Sequence, residues 1–309
     1  VNMVVLPNAL LSTILRIVSS FILMVYQIYL ICNNSSRERA IMARQSGHIK
    51  YKGTIGDIRH FKIKGLSGHF AGLVGGPDGE RVKTAPEFKR TRENMNEFGG
   101  CAAVGKSVRT GLSRLMKQMA DPQVTGRLTG IMKKINIEDQ SEKRGYRAIL
   151  VTQQPQYLVG FNFNRLVSFE SVFAPEMSFA NNVDRNESTL TIQAFDPLST
   201  ISAPAGATHF RIIHALSALS DFAFNATSGM YEPIEANLNE VNRIAYSAYL
   251  PLDEAVSVPL EITATLPGDP VMTENMSVLE SVGIEFFQLV NGEYYLFNSG
   301  NALKVQRIF

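Results

Sequence analysis

The sequence predicts an α+β protein: a small basic domain of hairpin plus helices, then an antiparallel immunoglobulin-like β-sandwich. Three observations predict it. Residues 42–150 hold short glycine-punctuated alternating runs followed by long stretches of helical period. Residues 151–309 hold repeated short apolar runs separated by Pro, Gly and Asn, the spacing of antiparallel sandwich strands. The charge also changes sign at that boundary. Residues 42–150 carry 21 Lys and Arg against 10 Asp and Glu, and residues 151–309 carry 6 against 17.

A net charge of +2 over 309 residues hides this split. Such asymmetry speaks about partners rather than fold. It points to a nucleic acid or membrane for the basic half, or to contact between unlike halves. Cys32 and Cys101 are far apart, with no Cys-x-x-Cys and no His at ligand spacing, so neither a disulfide framework nor a zinc site is expected. A reducing compartment is the default.

Residues 1–41 form an apolar leader. The run 6–32 is interrupted by Arg16 and Gln27 and is long enough to cross a bilayer as a helix. No Lys or Arg precedes it and no small-residue cleavage site follows, so it makes a poor secretory signal. As a true anchor it would leave Arg37, Arg39, Arg44, Lys50 and Lys52 on the cytoplasmic side. The competing expectation is that Met42 is the natural start and 1–41 is upstream sequence, which makes the protein cytoplasmic.

In the basic half, 48–52 and 57–64 alternate apolar and polar residues around Gly53 and Gly56 and read as a hairpin. Residues 68–74 add a third strand, and 75–79 form a turn. Lys50, Lys52, Arg59, Lys62 and Lys64 interleave with Tyr51, His60 and Phe61. Basic residues alternating with aromatics on a small sheet can pair with phosphates and stack on bases, and lysines also protect an exposed strand edge. Thr84-Ala85-Pro86-Glu87 has the form of a capping box, predicting a helix to about residue 98. A second helix is expected over 102–119, and a third from Asp121-Pro122 to about 135. Solvated helix faces account for most of their cations, and the excess, with Lys89, Arg90 and Arg92 among the expected contacts, is read as an electrostatic footprint for an acidic partner.

Gly100-Cys101-Ala102-Ala103-Val104-Gly105-Lys106-Ser107 matches the phosphate-binding pattern G-x-x-x-x-G-K-[ST], in which Gly100, Gly105, Lys106 and Ser107 would hold a nucleotide. A working loop needs a buried strand before it. Residues 92–98 are polar and helix-like instead, so the expected role is close approach of two helices through small residues. Nucleotide binding is the alternative.

Met42-Ala43-Arg44-Gln45-Ser46-Gly47, Lys52-Gly53-Thr54-Ile55-Gly56-Asp57-Ile58, Phe88-Lys89-Arg90-Thr91-Arg92-Glu93-Asn94 and Glu97-Phe98-Gly99 resemble an uncharacterised family of bacterial proteins whose members begin at the equivalent of Met42. The resemblance covers nearly all of 42–309. It implies no activity and no catalytic residues.

Strands are expected in the acidic half at 157–163, 188–195, 208–216, 221–225, 243–250, 256–265, 281–290, 293–297 and 302–308, with Asn291-Gly292 as a hairpin turn. His209 and His214 are five apart, so on one strand they face opposite ways and cannot share a metal. Glu285 and Glu293 are candidates to face each other across the hairpin. No Gly-x-Ser-x-Gly and no His-Glu-x-x-His occurs. The expectation is therefore a non-enzymatic binding or assembly protein, without cofactor or metal. Its basic half would engage an acidic surface, either a neighbouring copy in a homo-oligomer or a nucleic acid. A membrane-tethered module is a further alternative if 1–41 is a true anchor.

Overall fold

A computed structural model describes residues 42–63 and 66–309. The apolar run at 6–32 and the expected contact residue Lys64 lie outside the described residues. The chain is α+β with antiparallel sheets and divides into two compact units after Gly79.

The first unit contains one four-stranded sheet in the order β1-β4-β3-β2. Its strands are β1 (Met42–Arg44), β2 (Gly53–Ile55), β3 (Ile58–Phe61) and β4 (Phe70–Leu73). The hairpin is present but shifted: Gly53 lies inside a strand, and Gly56-Asp57 makes the turn. Cross-strand register puts Arg59, Phe61, Phe70 and Arg44 on one face. Phe61 and Phe70 stack at 6.2 Å, and the Arg59 guanidinium lies 5.2 Å over the Phe61 ring. No described residue of 42–79 is buried.

The second unit begins with α1 (Gly79–Thr84), a 3₁₀ turn at Pro86–Phe88 and α2 (Lys89–Gly111). The expected cap at Thr84 does not form. Its hydroxyl donates back to the Glu80 carbonyl and closes α1, and Pro86 opens the 3₁₀ turn that feeds α2. Helix α2 runs unbroken through Gly99-Gly100, joining what the glycines suggested were two helices, because its buried face supplies the packing that outweighs their low propensity. Helices α3 (Ser113–Met119) and α4 (Val124–Glu138) follow. Asp121 accepts from the Gln123 N–H just ahead of α4.

The rest is mainly strand: β5 (Met177–Asn181), β6 (Glu187–Ile192), β7 (His209–Ser220), β8 (Phe222–Asn225), β9 (Met230–Pro233), β10 (Asn242–Tyr246), β11 (Leu250–Pro251), β12 (Leu260–Thr265), β13 (Met276–Val290), β14 (Glu293–Leu296) and β15 (Ala302–Ile308), with one-turn helices α5 (Phe169–Val172) and α6 (Pro197–Thr200). Strands β7 and β13 pair over twelve positions at the centre of a six-stranded sheet. Strands β10 and β11 flank β7, and β14 and β15 flank β13. Asn291 and Gly292 both have positive φ, as a tight hairpin demands.

Both faces of this central sheet are covered, which explains why β7 and β13 read as nearly continuous apolar runs. Odd-numbered residues Ile213, Ala215, Leu219 and Leu279 pack under α2, α3 and α4 with Leu303 and Val305. Even-numbered Phe210, Ile212, Val282, Ile284 and Phe286 pack against Leu190, Ile192 and Ile262 of the three-stranded sheet β12-β6-β5. The helices of the basic half and the strands of the acidic half therefore share one core.

Between the two sheets lies a buried polar cluster. His214 and Glu280 are fully buried and 2.7 Å apart, and the other His214 nitrogen lies 2.9 Å from the Ile262 carbonyl. Ser188 and Arg307 also donate to the Glu280 carboxylate. Burial pushes the Glu280 pKa up, but the bonds from His214, Ser188 and Arg307 outweigh it and hold the carboxyl below its ordinary value. His209 lies on the opposite face, edge-on to Tyr294. Glu285 pairs with Arg211, and Glu293 sits opposite Val290, so the two carboxylates do not face each other.

Candidate basic groove

Helix α2 enters the second unit with Lys89, Arg90, Arg92 and Glu93 in its first turns. These side chains form one wall of a cleft of about 720 Å³, and Lys143, Arg144, Gly145, Tyr146 and Phe224 form the other. Lys143, Tyr146 and Phe224 also line an adjoining cleft of about 620 Å³, so the two open into one groove. Five cations converge on the first cleft, where Glu93 is the one carboxylate.

The wall at 143–146 is held firmly. Asp139 accepts from the N–H groups of Ser141 and Ala148, at 2.8 and 2.7 Å. Asn136 and Tyr231 both donate to the Arg147 carbonyl. Glu97, buried in α2, accepts from the Gly145 N–H at 2.7 Å and from Lys133 of α4. Burial raises the Glu97 pKa, yet the bonds from Lys133 and Gly145 bring it below the usual carboxylate value. Gly145 adopts φ +98°, and a Cβ there would press on Glu93 at about 3.0 Å. Only glycine lets this loop lie so close to α2.

The cations differ in what they are free to do. Arg92 donates to the Val82 and Ala85 carbonyls at 2.8 Å each, fixing α1 and the 3₁₀ turn against α2. Arg90 pairs with Glu93 at 2.9 Å. Arg144 donates to Asn94, with Glu93 at 3.7 Å. Lys89 has no carboxylate partner among the described residues. The Lys143 ammonium lies 5.1 Å over the Tyr146 ring, and that ring meets Phe224 edge-on at 4.7 Å. A cation over a half-exposed ring, beside a second ring, can hold an anion and a flat apolar group together.

Of the sequence-predicted contact residues, Lys89, Arg90 and Arg92 lie in this groove, whereas Lys50, Lys52, Arg59 and Lys62 belong to the first unit. There the Lys50 ammonium is engaged by the Gln45 and Gly47 carbonyls. Sequence reasoning missed Lys143, Arg144, Tyr146 and Phe224. The run Lys143-Arg144-Gly145-Tyr146 carried the same basic-aromatic signal as 50–61, but nothing local pointed to Phe224, some eighty residues on.

The phosphate-loop pattern falls within α2, where backbone N–H groups bond to carbonyls one turn back and cannot wrap a phosphate. Gly100 faces the Tyr231 ring, where a Cβ would come within 2.5 Å of the ring atoms. Gly105 lies against Leu128 and Thr129 of α4, so it does bring two helices close. Ser107 is buried, donating to Glu240 at 2.7 Å and accepting from Asn239 at 3.1 Å. Lys106 is exposed and lines a shallow depression with Arg109 and the start of α4. Burial pushes the Cys101 thiol up to about 12, which disfavours the reactive thiolate.

Among the described residues no cluster of three His, Cys, Asp or Glu is placed to hold a metal, and no helix is long and apolar enough to cross a membrane. No family model, curated protein or solved structure matches the chain.

Proposed function

We propose that this is a cytoplasmic, non-enzymatic binding protein that holds an anionic macromolecule in the groove between the start of α2 and the 143–146 loop. The observation behind the proposal is the convergence of Lys89, Arg90, Arg92, Lys143 and Arg144 on one cleft whose walls are fixed before any ligand arrives. A pre-ordered groove loses little entropy on binding. The immunoglobulin-like reading of the strand body belongs to the same proposal and is supported by two antiparallel sheets packed face to face.

Binding of heparin, as a generic polyanion, should weaken steeply with salt, because each phosphate or sulfate contact releases counterions. Lys89→Glu with Lys143→Glu should reduce it by at least about tenfold, as reversed charges repel. Equal binding by this variant and the parent would place the polyanion elsewhere and end the proposal.

A second reading is assembly of copies. Within the second unit, residues 80–150 carry 15 Lys and Arg against 8 Asp and Glu, while residues 151–309 carry 6 against 17. Unlike surfaces of one body favour head-to-tail contacts that weaken with ionic strength. Sedimentation as a monomer at both low and high salt would remove this reading.

A further inference from the structure

We infer that the anionic ligand is a single-stranded nucleic acid whose base is seated against Tyr146 and Phe224. This deepens the groove proposal and rests on it. A groove built for charge alone would need only cations. This one places two aromatic rings where its two clefts meet, because Tyr146 and Phe224 line both. Tyr146 is 38% exposed in a chain that buries most of its large apolar side chains in this unit. Its ring is positioned by the edge-on contact with Phe224, and Phe224 in turn meets Tyr231 edge-on at 5.6 Å. Tyr231 is buried against Gly100 of α2, so the aromatic row is anchored in the core.

The Lys143 ammonium rests over the open Tyr146 face. That contact is weak at an exposed site. An incoming base can displace it, and the released ammonium is then free to meet the flanking phosphate. Lys89 and Arg90 lie along the other wall of the cleft, in reach of the same strand's backbone. Stacking uses the flat face that every base has, so little sequence preference is expected. In duplex DNA the bases are already stacked on one another and would have to be unpaired first.

The test uses the full chain and three probes of equal length at low salt: a deoxythymidine 12-mer, the same backbone without bases, and a duplex. The inference expects the oligonucleotide to bind at least about fivefold tighter than the abasic strand and the duplex. Tyr146→Ala should weaken the oligonucleotide by about 5- to 100-fold and leave the abasic strand unchanged. Tyr146→Phe keeps the ring and should restore binding. Tyr146→Leu keeps the apolar packing on Phe224, so it should behave like the alanine variant if stacking is the cause. Equal affinity for all three probes, insensitive to Tyr146, would overturn the inference and leave a purely electrostatic groove. No binding of any probe or of heparin would overturn the groove proposal as well.

Discussion

The two units are built on opposite terms. Among the described residues of 42–79 none is buried, and their sheet is held by its backbone ladder, a Phe61–Phe70 stack and local bonds such as Gln45 to the Tyr51 and Phe70 carbonyls. In the second unit β7 and β13 are covered on both faces and nearly every side chain along them is buried. The first is specified by turn chemistry and strand pairing, the second by the hydrophobic effect. A sheet of the first kind leaves its side chains available, and one of the second kind cannot accept a ligand without coming apart.

Hydrogen exchange should show the largest contrast. Amides of β7 and β13 should exchange only through global unfolding, and those of β2 and β3 through local opening, about a thousandfold faster or more. Similar protection in both would mean that the first sheet is stabilised by something other than its own ladder. Next in size, Phe286→Ala should cost the second unit about 3–5 kcal/mol in denaturant titration. Phe61→Ala should leave that transition where it is.

Glu280→Gln leaves Arg307 and His214 facing a neutral amide, a loss of about 3–5 kcal/mol for a broken buried pair. The pH sign follows from the lowered Glu280 pKa. Its contribution is complete above the ordinary carboxylate value of about 4.5 and disappears as pH falls through the lower folded value. The acid limb of stability against pH should therefore be shallower in Glu280→Gln than in the parent; an unchanged limb would move the cause of acid sensitivity to another carboxylate. The smallest effects separate the two motif glycines. Gly105→Ala meets Leu128 at an ordinary 3.5 Å and should gain up to about 1 kcal/mol of helix propensity. Gly100→Ala drives a methyl into the Tyr231 ring and should destabilise. Thermal melts of both variants decide it, and a loss in Gly105→Ala would show that the α2–α4 contact has no slack.

Much of the strand content was legible because period-two patterning and the Asn291-Gly292 turn are local signals. The His209/His214 split followed from the same geometry. Three features were not legible. Residues 157–163 alternate like a strand, but a 3₁₀ turn at Pro155–Tyr157 leads into them, and one isolated bridge with three backbone hydrogen bonds is what ties the segment to β15. Strand β5 was also missed, because its two core-facing residues, Met177 and Phe179, make too short an alternation to stand out. The core shared across residue 150 also escaped, because the change of charge there is a property of the surface and says nothing of packing. Leu128 and Ile213 share that core. The groove was half visible: Lys89, Arg90 and Arg92 stood out as charge, but their convergence with Phe224 exists only once β8 is placed.

The pairing of β13 with β7 and β15 bears on how the molecule is made. The centre of the sheet, begun at residue 209, has only the short strands β10 and β11 as partners until residues 276–290 have been synthesised, and the far edge of that longer partner waits for residue 308. Until then α2 and α4 have each other but lack the sheet that covers the rest of their apolar faces, the kind of exposed surface that chaperones exist to shield. Whatever acts on the nascent chain meets the cationic helices well before the anionic strands emerge to complete the body.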